Sequence, residues 1–260
     1  MKKPLWVPSE AWTKNANITK FIEKVNQKYG KDLKTYDDLY QWSVDAIPDF
    51  WASVWEFAGI RASKGYDQVV EDLSKFPGTK WFPGASLNFA ENLLRYRDDH
   101  LAFVFRGEDK KTAQMTYADL YEKVARLAKS LRDLGIKPGD RVAGYMPNMI
   151  ETAVAMLAST SVGATWSSCA TDIGAQAALD RLGQIEPKVL YTVNGYYYKG
   201  KTFDSLANAT EIAKGIPSLQ KVVGASYTDE TPDLSAIPNA VWFDVCLATG
   251  EVRALEFERL

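Results

Sequence analysis

The stretch NGYYYKGK, residues 194–201, sets three tyrosines and two lysines around a glycine. Lys199 and Lys201 supply compact point charges suited to phosphate, and Gly200 lets a backbone approach a ligand closely. The ring of Tyr198 and those of its two neighbours can pack against a base or a pantetheine arm. A solvated lysine loop is the competing reading of the same residues. A second stretch, CATDIG at 169–174, offers Thr171 or Asp172 as the N-cap of a helix whose backbone N–H groups favour anions.

Several other chemistries are excluded or unsupported. His100 is the single histidine, so His-based metal clusters are ruled out and a Ser-His-Asp triad would rest on that one residue. Cys169 and Cys246 are far apart, with no CxxC, which argues against a disulfide framework or a zinc site and for a reducing, cytoplasmic setting. There is no GxxxxGK[ST], no GxGxxG after a strand and no paired acidic motif for magnesium. The 31 basic and 33 acidic side chains are mixed along 260 residues and leave a formal charge of −2, so neither nucleic acid nor a membrane surface is an expected partner. The N-terminus MKKPLWVPSEAW lacks the apolar core of a signal peptide, and no apolar run approaches membrane-spanning length.

Both stretches need elements to position them. KVLYTV (188–193) reads as a buried strand and TFDSLANATEIAKGI (202–216) as a helix, which puts 194–201 in a loop between them. Upstream, LAFVFRGEDKKTAQMTY reads as a hairpin turning around residues 107–109. Thr116 and Asp119 form a capping box for a long helix ended by Gly135; RVAGYM is a strand, and Asn148 with Glu151 caps the next helix. GATWSS and KVVGAS add further strands. Strands separated by helices of this length predict an α/β fold, a parallel sheet flanked by helices on both faces. In such sheets ligands gather where strands end and helices begin.

Residues 1–100 read differently. Six of the eight tryptophans lie there, in short helical patterns: one capped by Asn17 and ended by Gly30, one opened by a Thr35/Asp38 box, and one after Pro48. Phe50, Trp51, Val54 and Trp55 form an aromatic stripe whose spacing predicts core packing. The expected organisation is a mainly helical N-terminal extension over 1–100 and an α/β subdomain over 101–260. FDVCLATGEVRALEFERL runs to Leu260 with nothing that marks a natural stop, and the expectation is a chain cut from a longer one.

Four segments carry a resemblance: FWASVWEFAGI (50–60), WFPGASLNFAENLL (81–94), the run from MTYADLY to GATWSS (115–168) and DRLGQIEPKVLYTVNGYYYKGK (180–201). They resemble the N-terminal part of acyl-CoA synthetases of the adenylate-forming superfamily, on the acetate and acetoacetate branch. SSC followed by ATDIG is more similar to the acetoacetyl enzymes. The resemblance implies a ligase that joins acetoacetate to ATP as an acyl-adenylate with magnesium assisting, then transfers the acyl group to CoA. It also implies that the ATP phosphate loop and the catalytic residues lie beyond position 260, in a missing C-terminal half, so that these 260 residues alone are inactive. The CoA site carries over to Tyr198, Lys199, Gly200 and Lys201, which match the family's phosphate-binding loop, and to Ala170, Thr171 and Asp172, which match a turn near the CoA adenine. The family usually has arginine at 198 and 201; lysine keeps the charge without the bidentate fork, and tyrosine keeps neither. Open beside this reading are a stand-alone CoA- or nucleotide-binding module and an interaction protein built on the tryptophan-rich helices.

Overall fold

A computed structural model describes residues 4–108, 111–229, 232–248 and 254–260. It divides into two compact units, 1–86 and 87–260.

Among the described residues the first unit holds four helices: α1 (Glu10–Asn15), α2 (Asn17–Tyr29), α3 (Tyr36–Asp45) and α4 (Ile47–Ala58). The Thr35/Asp38 capping box forms in full, and Gly30 ends α2 at φ +62°. Asn17, expected as a cap, is instead the first residue of α2; a separate short helix precedes it, capped by Ser9, whose hydroxyl accepts from Trp12 N. Phe21, Val25, Leu39 and Trp42 make the core, with Phe50 and Val54 packed against them. The aromatic stripe therefore splits. Phe50 meets Phe21 and Trp42 edge-on, while Trp51 turns to Trp81 and Trp55 to Tyr66 and Phe82. A helix advances about 100° per residue, so adjacent aromatics necessarily serve different neighbours.

The second unit begins with α5 (Phe89–Leu93), followed by an antiparallel ribbon of β1 (Leu101–Arg106) and β2 (Thr112–Thr116). Residue 109 of its expected turn lies outside the described residues; Gly107 N donates to Lys111 O. The chain continues through α6 (Tyr117–Asp133), β3 (Arg141–Tyr145), α7 (Ile150–Ser161), β4 (Thr165–Cys169), α8 (Ala175–Leu182), β5 (Val189–Val193), β6 (Gly195–Tyr198), β7 (Lys201–Asp204), α9 (Leu206–Gly215), β8 (Lys221–Ala225), β9 (Ala240–Trp242) and α10 (Phe243–Ala248). Five strands form one parallel sheet in the order β4-β3-β5-β8-β9. Alternation along β5 explains why both faces are covered. Val189, Tyr191 and Val193 join the core under α6, α7 and α10, and Leu190 joins the one under α8 and α9. The expected α/β fold is the observed one.

Local capping was less regular than expected. The Thr116/Asp119 box is present. The Asn148/Glu151 box is not: α7 starts at Ile150 behind Met149, and Thr152 Oγ1 donates to Pro147 O at 2.8 Å. Neither Thr171 nor Asp172 caps α8, which starts directly after Gly174.

At the amino ends of the strands Lys188 Nζ lies 2.7 Å from Asp140 Oδ1. Burial pushes the Asp140 carboxyl up, but hydrogen bonds from Lys188 and Lys137 N, with the charges of Lys188 and Arg141, outweigh it and hold the group below its usual value. A depressed folded value means stabilisation that is present above the ordinary carboxylate range of about 3.9 and lost as pH falls through the folded value. Asp140→Asn is therefore expected to lower stability at neutral pH and to flatten its decline below about pH 4, as read by urea midpoints across pH.

Candidate functional site

The strand order fixes where a ligand crevice can form. From β3 the chain moves to β4 on one side, then crosses back to β5 on the other. This is a topological switch point, and the crevice lies outside the carboxyl ends of β3 and β5. Those ends are Tyr145 and Val193.

Beyond β5 the chain forms a hairpin, not the open loop expected, and the helix begins at Leu206, four residues later than expected. Tyr196 pairs with Phe203, Tyr197 with Thr202 and Tyr198 with Lys201. Lys199 and Gly200 form the turn at φ +51° and +72°. Two successive left-handed residues are the geometry that matches the twist of a two-residue hairpin. For Gly200 this conformation is free; for Lys199 it costs about 1 kcal/mol or more, and such strain is concentrated at functional sites.

The aromatic residues of the hairpin divide by parity. Tyr196 stacks on Phe203 with centroids 5.1 Å apart, and Tyr197 meets Tyr227 edge-on at 5.3 Å. Tyr227 also meets Phe105 of β1 at 6.0 Å. Tyr198 is half exposed, with the Lys199 ammonium 5.1 Å from its ring centroid. Lys199, Gly200 and Lys201 are all exposed, and Gly200 N donates to Glu108 Oε2 at 3.2 Å. Lys111 Nζ stands 5.9 Å from the Tyr227 ring, a further cation beside the same ribbon.

Asn194 anchors the base. It is buried, its Oδ1 accepts from Tyr227 N (2.7 Å) and Thr228 N (3.2 Å), and its Nδ2 donates to Thr228 Oγ1 (3.0 Å). Its backbone bonds Ala225 O and Ser205 N. Next to it only glycine fits: a Cβ on Gly195 would stand 2.5 Å from Thr228 Oγ1 and 2.6 Å from Phe203 O.

The turn after β4 sits at the same edge of the sheet. Thr171 is buried and Asp172 exposed. Tyr145 Oη lies 2.9 Å from Thr171 O and 2.7 Å from Ile173 O, and Asn208 Nδ2 of α9 donates to it at 3.2 Å. Thus two residues not singled out from sequence, Tyr145 and Asn208, tie the turn after β4 to α9, the helix that follows the hairpin directly in the chain. His100 is exposed with Nδ1 3.1 Å from Asp98 Oδ1. Among the described residues no group of three or more His, Cys, Asp or Glu side chains is placed to hold a metal ion, and no helix is long and apolar enough to cross a membrane.

Residues 89–244, well over half of the chain, match the family model described as AMP-binding enzyme. The chain belongs to the AMP-binding enzyme family. Residues 36–93 of this AMP-binding chain also match the model of the acetyl-coenzyme A synthetase N-terminus. Over 99% of its length it is 42% identical to acetoacetyl-CoA synthetase of Danio rerio, and over all of it 38% identical to acetoacetyl-coenzyme A synthetase of Rhizobium meliloti. A malonamoyl-CoA synthetase of Penicillium aethiopicum is 40% identical over 94%. The solved acetoacetyl-CoA synthetase of Streptomyces lividans is similar over the whole chain, with a TM-score of 0.89 and 38% identity. The chain spans about 39% of the length of the Danio rerio relative and 40% of the Streptomyces lividans structure.

Proposed function

We propose that this chain is the N-terminal, CoA-facing part of an AMP-forming acid–thiol ligase. The complete protein would join ATP and acetoacetate as an acyl-adenylate with release of pyrophosphate, then pass the acyl group to CoA with release of AMP. Acetoacetate is favoured over other short acids by the names of most of these relatives. The observation that carries the reading is the strained lysine turn, Lys199-Gly200-Lys201, on a hairpin beside the switch-point crevice.

On this reading residues 1–100 are the N-terminal extension and 101–260 the first α/β subdomain. Lys199 and Lys201 meet the nucleotide phosphates of CoA, Gly200 sets the turn, and Tyr198 packs beside them. Thr171 and Asp172 lie along the adenine. The ATP site, the magnesium that assists adenylation and the catalytic groups belong to chain beyond residue 260, so these 260 residues bind CoA without turnover. The protein works in the cytoplasm, where Cys169 and Cys246 stay out of disulfide linkage.

The experiment is calorimetric titration of the 260-residue chain with CoA and with dephospho-CoA, which lacks the 3′-phosphate. CoA is expected to bind more tightly, with the difference shrinking as salt rises. Equal affinities would count against phosphate recognition by the lysine turn.

A further inference from the structure

Tyr145 ends β3 at the switch point and is fully buried. Its ring belongs to the core under α8 and α9. Its hydroxyl is where three elements meet: the turn after β4 through Thr171 O and Ile173 O, α9 through Asn208 Nδ2, and β3 itself. One phenolic proton shared between two carbonyls and one accepted N–H use the oxygen fully. Burial pushes the phenol's pKa up; the Asn208 hydrogen bond opposes this, while Cys169, Tyr196 and Asp172 add to it. The group therefore stays a donor at neutral pH, and α9, which carries Asn208, directly follows β7 of the hairpin.

We propose that Tyr145 is a positioning residue for the CoA nucleotide, its hydroxyl holding the 171–173 turn in fixed register with the lysine-bearing hairpin. The inference rests on the CoA reading of those two segments. Losing the hydroxyl leaves two carbonyls and the Asn208 amide without their shared partner, so the turn must be ordered by the ligand instead of beforehand. The lysine turn is set by its own backbone geometry and by Asn194, and neither depends on Tyr145. An adenine-bearing ligand should then lose affinity while a phosphate-only ligand should not.

The test is titration of the 260-residue chain with adenosine 3′,5′-bisphosphate and with inorganic pyrophosphate. Tyr145→Phe is expected to weaken the first by about tenfold and to leave the second within about twofold of the parent chain. Unchanged binding of both ligands, or equal loss of both, overturns the positioning role, because general softening would not discriminate. Should Tyr145→Phe fail to fold, Asn208→Ala decides. About threefold loss for the bisphosphate alone supports the proposal, and no loss overturns it. Lys201→Ala serves as the reference for the underlying reading. If it alters neither affinity, the CoA assignment of the hairpin falls and the proposal falls with it, whereas an effect of Lys201→Ala without one of Tyr145→Phe sinks the positioning role alone.

Discussion

Replacing Lys199 and Lys201 together by alanine is expected to weaken CoA binding by about 30- to 100-fold with little change in thermal stability. Both side chains are exposed, so truncating them opens no cavity and removes no buried partner. Their contribution is charge at a turn whose backbone is already fixed. Two charge-assisted contacts to phosphate oxygens account for a loss of this size, and the loss should shrink at high salt because the contacts are open to solvent. The Gly200 N–H, engaged by the Glu108 carboxylate in the free protein, is already oriented for an anionic acceptor. A double variant that binds CoA as the parent does would reduce the hairpin to a solvated surface ribbon.

Asn194→Ala is expected to cost roughly 3 kcal/mol of stability, read as a lower urea midpoint without a change in slope. The carboxamide is buried and bonds on both sides, accepting from Tyr227 N and Thr228 N and donating to Thr228 Oγ1. Alanine strands two backbone N–H groups away from water, each costing about 1 to 3 kcal/mol. A urea midpoint left unchanged by Asn194→Ala would mean that the carboxamide does not anchor the hairpin.

Features that depend on neighbours in sequence were legible. The capping boxes at Thr35/Asp38 and Thr116/Asp119 each close within three residues, and both form as read. Strand and helix alternation was legible for the same reason, since period and turn residues are local. The hairpin was not. Its second strand, Lys201–Asp204, merges in sequence with a helical pattern that begins in earnest only at Leu206, where Asp204 Oδ1 accepts from Leu206 N. The missed signal was a Lys-Gly pair between YYY and KTF, an alternating run around a two-residue turn. At CATDIG the preference of Asp for N-caps misled, because Gly174 lies two residues nearer the helix. Tyr145 could not have been found this way: its partners Thr171, Ile173 and Asn208 are 26, 28 and 63 residues away and come together only when the crossovers fold back.

The reading as a ligase is tested most directly by acetoacetate-dependent ATP–pyrophosphate exchange and thioester formation with CoA, run on the 260-residue chain beside the product of the complete reading frame. The predicted result is exchange and acetoacetyl-CoA from the complete product and neither from the 260 residues. Turnover by the 260 residues alone, or a complete product that forms no thioester from acetoacetate or any other short acid, would contradict it.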